Sequence, residues 1–138
     1  MGWMSWEVFR CETNCTAAPH GCINADLFTQ MADELATGGY LAAGYATVSV
    51  DDCWVDWDPN GRNVSTRELQ PDPSRFPLGM KALGDYIHSL GALFGMYTDE
   101  GKRTCQGFQV RVLVTPPRVV RVRVKIMGSQ KCRNVGKS

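Results

Sequence analysis

No stretch of this sequence approaches the roughly 20 apolar residues that a membrane-spanning helix needs. A GxSxG nucleophile elbow, an HExxH zinc motif and a glycine-rich phosphate loop are all absent, so three large enzyme chemistries lose their usual carriers. The cysteine spacing Cys11-x3-Cys15-x6-Cys22 lacks the CxxC knuckle of structural zinc sites, which ranks disulfides above zinc. Met1–Trp6 has no basic start followed by an apolar stretch, so no signal peptide is written there. The Met-Gly opening does not complete a myristoylation motif either, because Trp6 stands where a hydroxyl residue is required. Acids are missing altogether from residues 109–138.

What is there amounts to one domain's worth of chain, 138 residues with 43% hydrophobic side chains, too apolar for a disordered polymer. The net charge of +1 hides a partition. Eight bases lie in the acid-free tail, at Arg111, Arg118, Arg121, Arg123, Lys125, Lys131, Arg133 and Lys137, leaving seven bases against all fourteen acids in residues 1–108. A break of that size marks a boundary near Phe108, with a main unit at residues 1–108 and a basic tail at 109–138. Six cysteines are dense for a cytosolic chain and ordinary for an exported one. Asn63-Val64-Ser65 is a glycosylation sequon that favours the same compartment. The expectation is a secretory-pathway sequence whose leader is absent from this chain.

Along the chain, Asn24 is a competent helix N-cap, Leu27, Phe28, Met31 and Leu35 recur at helical spacing, and Gly38-Gly39 supplies a stop. A helix is therefore expected over residues 24–37. A second begins after Phe76-Pro77, with Met80, Leu83, Ile87 and Leu90 on one stripe and Gly91 at its end. Each helix leads into a short apolar run, Tyr45–Val50 and then Ala92–Tyr97, and Trp3–Phe9 is a candidate opening strand. Strand, helix, strand, helix, strand implies a parallel sheet with helical crossovers, in an α/β fold. In the tail, Val110, Val112 and Val114 alternate with Arg111 and Leu113, and Val120, Val122, Val124 and Ile126 with Arg121, Arg123 and Lys125, on either side of Pro116-Pro117, a candidate hairpin with one basic face. Residues 128–138 have no periodicity and are expected to be disordered.

Ligands of parallel sheets gather at the carboxyl ends of the strands, and there this sequence places Asp51-Asp52 and Thr98-Asp99. Adjacent carboxylates repel and raise each other's pKa, so they persist where donors neutralise them, and sugar hydroxyls are such donors. The pair cannot be the acid and nucleophile of a retaining glycosidase, which must face one sugar carbon across about 5–5.5 Å. Neighbouring strand residues point to opposite faces. Binding is the better role, with a solvated turn as the plain alternative. Trp6 and Trp54 at strand ends are candidate stacking surfaces for a sugar, beside a hydroxyl from Tyr97, although aromatics are more often core. His20 and His88 have no partner in the pattern and read as surface or satisfied histidines.

Met1-Gly2-Trp3 through Trp6-Glu7, the cysteines at 11, 15 and 22, Leu27-Phe28…Met31-Ala32 and Val50-Asp51-Asp52-Cys53-Trp54 form an ordered series. It continues through Pro71–Pro77, Tyr86–Gly91 and Gly95-Met96-Tyr97-Thr98-Asp99 to Thr104-Cys105-Gln106-Gly107-Phe108. This series resembles the eukaryotic α-galactosidases and α-N-acetylgalactosaminidases, and the resemblance covers essentially all of residues 1–108. It implies a retaining glycoside hydrolase built as a (β/α)8 TIM barrel, acting on terminal α-linked galactose or N-acetylgalactosamine in lysosomes or outside the cell. It further implies that Trp6, Asp51, Asp52, Tyr97 and Cys105 line the sugar pocket, that Cys11 pairs with Cys53 and Cys15 with Cys22, and that the family is typically homodimeric. No cofactor, metal, nucleic-acid partner or membrane is implied.

The resemblance stops after the third strand. The family's nucleophile, an aspartate in a Lys-x-Asp-Gly-Cys motif, and its aspartate acid/base have no counterpart in these residues. Cys105 thus lacks the partner that the family supplies from that motif, and Cys132 in the tail is likewise without a family partner. A TIM barrel needs roughly 200 residues or more, so the expected structure is its first three βα units, not closed, plus a β-prone tail. The pattern is that of a truncated or alternatively spliced form, inactive alone; a non-catalytic sugar-binding or decoy fragment is the alternative. A tail that binds nucleic acid is unsupported, because its eight cations have no aromatic residue among them for base stacking.

Overall fold

The computed structural model describes residues 1–57, 63, 68–99, 103–108 and 110. Strand β1 (Gly2–Met4) is followed by a single helical turn, α1 (Trp6–Phe9), and by helix α2 (Ala25–Thr37). Strand β2 (Thr47–Val50), helix α3 (Gly79–Ser89) and strand β3 (Leu93–Met96) complete the described elements. The strands form one parallel sheet in the order β1-β2-β3, Gly2 opposite Thr47 and Thr47 opposite Leu93. Parallel neighbours cannot be joined by a tight hairpin. The chain accordingly passes through α2 between β1 and β2, and through α3 between β2 and β3.

The helices form where apolar spacing and capping coincide. Asn24 Oδ1 accepts the Leu27 amide at 2.9 Å, satisfying one of the free donors at the start of α2. Leu27, Phe28, Ala32 and Leu35 are the buried face of α2, and Leu83, Gly84 and Ile87 that of α3. A Cβ on Gly84 would lie 3.0 Å from Phe94 Cδ1, so α3 rests close on β3 and any larger residue there would have to displace the Phe94 ring. Val48 and Val50 of β2 meet Phe28 and Ile23 in the same core, with Trp3 edge-on to Phe28 at 5.6 Å.

A buried arginine ties the β2–α3 connection to the start of α2. Arg75 Nη1 donates to Ile23 O at 2.8 Å, and the Ala25 amide donates to Arg75 O at 2.9 Å. Its Nε lies 3.1 Å from Asp72 Oδ2, close enough to pair in charge though not aligned as a hydrogen bond. Burying a guanidinium is costly, and the carboxylate with the carbonyl offsets that cost. Two disulfides, Cys11–Cys53 and Cys15–Cys22, fasten the segment after α1. Cys105 is disulfide-bonded as well.

The structure corrects the opening strand. Extension ends at Met4, and Ser5 turns the chain into α1, where the Phe9 amide donates to Ser5 O at 2.9 Å. The turn folds Phe9 back to within 6.1 Å of Trp3, burying apolar area that a straight run beyond the end of β2 would leave in water. Trp6 therefore stands on a helical turn and not at a strand end. The two later strands keep only their central residues, Thr47–Val50 and Leu93–Met96. The basic hairpin and the residues after it lie outside the described residues, except Val110, which is buried. Asn63 is exposed, while the rest of its sequon falls outside the description.

Candidate carbohydrate site at the strand ends

Asp51 and Asp52 follow the last residue of β2 and lean on different neighbours. Ser5 is fully buried just past β1, and its Oγ accepts the Asp51 amide at 3.1 Å. Asp51 Oδ1 then accepts the Asp52 amide at 2.8 Å, leaving the half-buried carboxylate one oxygen with no hydrogen bond to the described residues. Asp52 is buried at 3% exposure and is occupied on both oxygens. Its Oδ1 accepts the Cys53 amide at 2.7 Å and its Oδ2 the Gln106 amide at 3.1 Å, with the Thr104 hydroxyl as a further donor. Asp52 thus pins the 103–108 loop across the end of the sheet.

Burial pushes both carboxyls above the ordinary 3.8. For Asp51 the amide of Asp52 opposes the rise, whereas the charges of Asp52 and Glu7 add to it. For Asp52 the Thr104 hydroxyl and the amides of Gln106 and Cys53 oppose it, and Asp99 adds to it. Tyr97 follows β3, its amide donating to Val50 O at 2.8 Å. Burial, the charges of Asp52, Asp99 and Asp51 and a hydrogen bond to the Asp99 side chain push its hydroxyl up to about 12, so it stays protonated, with its lone pairs left to accept. That hydroxyl lies 3.8 Å from Cys105 Sγ.

The candidate residues Asp51, Asp52, Tyr97 and Cys105 are therefore brought to one end of the sheet. Trp6 reaches the same end through its neighbour Ser5, with the Arg10 guanidinium 5.6 Å from the centre of its ring. Trp54 does not join them. It is 6% exposed and donates its indole N–H to Tyr97 O at 3.0 Å, so it supports the site from the core and presents no open face to a ligand. His20 and His88 are exposed. Ser5, Thr104 and the Gln106 amide were not legible beforehand, because they act through contacts 46, 52 and 54 residues away. No group of three metal-ligating side chains occurs among the described residues.

The melibiase family described as alpha galactosidase A matches residues 1–114. The chain belongs to that family. Its relatives include the alpha-N-acetylgalactosaminidase of Homo sapiens, 48% identical over 108 residues, and the Homo sapiens alpha-galactosidase A, 43% identical over 110. Each match takes in 78% of this chain but only 25% and 24% of the relative, so the chain spans about a quarter of the length of these family members. Among solved structures, alpha-galactosidase I of Mortierella vinacea superposes with a TM-score of 0.68 at 35% identity, over 80% of this chain and 24% of that one. The Saccharomyces cerevisiae alpha-galactosidase gives 0.67 at 32%, over 80% and 21%. The three-stranded parallel sheet is a partial α/β fragment beside these family folds.

Proposed function

We propose that residues 1–108 are the sugar-binding N-terminal portion of an α-galactosidase-type retaining glycosidase, and that they hold a terminal α-linked galactose or N-acetylgalactosamine. Within this reading they are the first three βα units of a TIM barrel that these residues do not close, and residues 109–138 form a separate basic tail. The observation that carries it is the Asp51–Asp52 pair at the carboxyl end of β2, with one Asp51 oxygen that accepts no hydrogen bond from the described residues. Asp51 accepts sugar hydroxyls, while Asp52, already occupied by three donors, fixes the wall behind them. Tyr97 supplies a neutral hydroxyl at the same rim, and Trp6 and the Cys105 disulfide complete the lining. Relatives named alpha-galactosidase and alpha-N-acetylgalactosaminidase support the sugar class. Three disulfide-bonded segments support a lysosomal or extracellular setting.

Hydrolysis needs a nucleophile and an acid/base on opposite sides of the glycosidic bond. Asp51 and Asp52 are joined through one backbone amide and lean on different segments, Ser5 after β1 and the 103–108 loop, an arrangement that serves binding. These 138 residues by themselves are read as binding without turnover, which is where the non-catalytic sugar-binding alternative draws its support. The test pairs an aryl α-galactoside assay with a galactose titration followed by NMR. Galactose-dependent shifts that Asp51→Ala removes, with no release above a blank, are the expected result. Turnover lost in Asp51→Ala would overturn the non-catalytic part, and no galactose binding would overturn the whole.

A further inference from the structure

Trp57 is 65% exposed, whereas Trp54 three residues earlier is buried. Its backbone is held in place: the Asp56 amide donates to Gln70 O at 2.9 Å, and Val55 bridges antiparallel to Pro71. Its ring is held as well, packed perpendicular to Phe108 with centroids 4.8 Å apart. Phe108 is 5% exposed and anchored in turn, its amide donating to Thr104 Oγ1 at 3.1 Å. Gly107 lies beside the indole, since a Cβ built there would sit 3.8 Å from Trp57 Cη2.

The same loop connects this indole to the carboxylate pair. Gln106, whose amide binds Asp52 Oδ2 at 3.1 Å, immediately precedes Gly107. Chain geometry then limits the separation of Asp52 Oδ2 and Trp57 Cη2 to at most about 14 Å. An indole that is fixed on one side and open on the other loses little freedom on binding. Its apolar face suits the C–H side of a pyranose ring. Asp51 adjoins Asp52, so an oligosaccharide whose terminal sugar sits on Asp51 crosses that interval with the rings that follow.

We infer that Trp57 forms a second sugar subsite, stacking on the ring next to the terminal α-linked sugar and favouring oligosaccharides over the monosaccharide. The inference rests on the sugar-binding reading of Asp51 and Asp52. It adds a residue outside the set named for the first sugar.

The test titrates the full chain with galactose and with melibiose by NMR or calorimetry, for the native sequence, Trp57→Ala and Trp57→Phe. An aromatic contact of this kind predicts that melibiose binds more tightly than galactose by about 2- to 12-fold. Trp57→Ala should erase that advantage and leave the galactose affinity unchanged, and Trp57→Phe should keep most of it. If both ligands weaken equally in Trp57→Ala, the indole only supports Phe108 and the subsite is refuted. If neither ligand is affected while galactose binds, the subsite is refuted and the Asp51 reading stands. A native chain that binds neither sugar overturns both.

Discussion

The Cys11–Cys53 disulfide closes a loop of 42 residues in sequence separation and ends one residue after Asp52. Removing that constraint from the unfolded ensemble is worth about 4 kcal/mol in the chain-entropy account, against about 2 kcal/mol for the seven-residue separation of Cys15–Cys22. Cys53 also sits at φ 76°, a left-handed conformation that costs a residue with a Cβ about 1–2 kcal/mol. The disulfide therefore holds a strained residue whose amide donates to Asp52 Oδ1 at 2.7 Å. Guanidinium unfolding followed by tryptophan fluorescence should show Cys11→Ala/Cys53→Ala losing about 4 kcal/mol. In the Cys11→Ala background, glycine at position 53 should then beat alanine. Relief of the strain outweighs the greater freedom of glycine in the unfolded chain, about 0.4–1 kcal/mol, by roughly 0.5–1 kcal/mol. Galactose affinity should fall in the alanine pair, because Asp52 loses the fixed donor behind it. Unfolding curves that superpose with and without the disulfide, or an alanine variant as stable as the glycine one, would refute this account of the turn.

Four further outcomes follow from the same geometry. Galactose binding should weaken on acidification with a midpoint above 3.8, since burial raises both acceptor carboxyls, and a midpoint at or below 3.8 in a pH titration would contradict it. In stability, a raised carboxyl contributes below its unfolded value and loses that contribution as pH rises through its folded value. Asp72 behaves oppositely: burial opposes it, but the Ser74 hydroxyl and Arg75 hold its carboxyl below 3.8, so its contribution disappears as pH falls through the folded value. Asp51→Asn should therefore stabilise the chain at pH 7 more than at pH 4, read as the shift in urea midpoint. Thr104→Val should cost about 1–3 kcal/mol and weaken galactose binding, because the buried Phe108 amide and the Asp52 carboxylate both lose the hydroxyl, and Thr104→Ser should restore both. Asn24→Ala should cost about 1 kcal/mol through the lost cap on Leu27, with sugar affinity unchanged in the same titration.

Local pattern alone located both long helices, because each combines a 3.6-residue apolar stripe with its own boundary signal. Asn24 before Leu27 and Gly91 after Leu90 are readable without knowing what lies opposite. The same holds for the alternation that made the sheet parallel, and for the aspartates standing at the end of β2. The family was also legible, carried by an ordered series of motifs and not by periodicity.

The fate of individual side chains at the strand ends was set elsewhere. Trp6 and Trp54 were equal candidates for stacking in the sequence, yet the hydrogen bond from Trp54 to Tyr97 O buries one while the other stays on a half-open turn. Asp51 and Asp52 are the same residue type side by side. Ser5, 46 residues before Asp51, holds only its backbone amide, whereas Gln106, 54 residues after Asp52, occupies the second oxygen of that carboxylate; among the described residues no donor does the same for Asp51. The opening strand stopped at Met4 because Phe9 gains more by turning back onto Trp3 than by running on past β2. Apolar spacing and caps act within a few residues and are written along the chain. Which donor reaches which carboxylate depends on segments that meet only once the sheet and its crossovers have formed, and tertiary packing alone decides it.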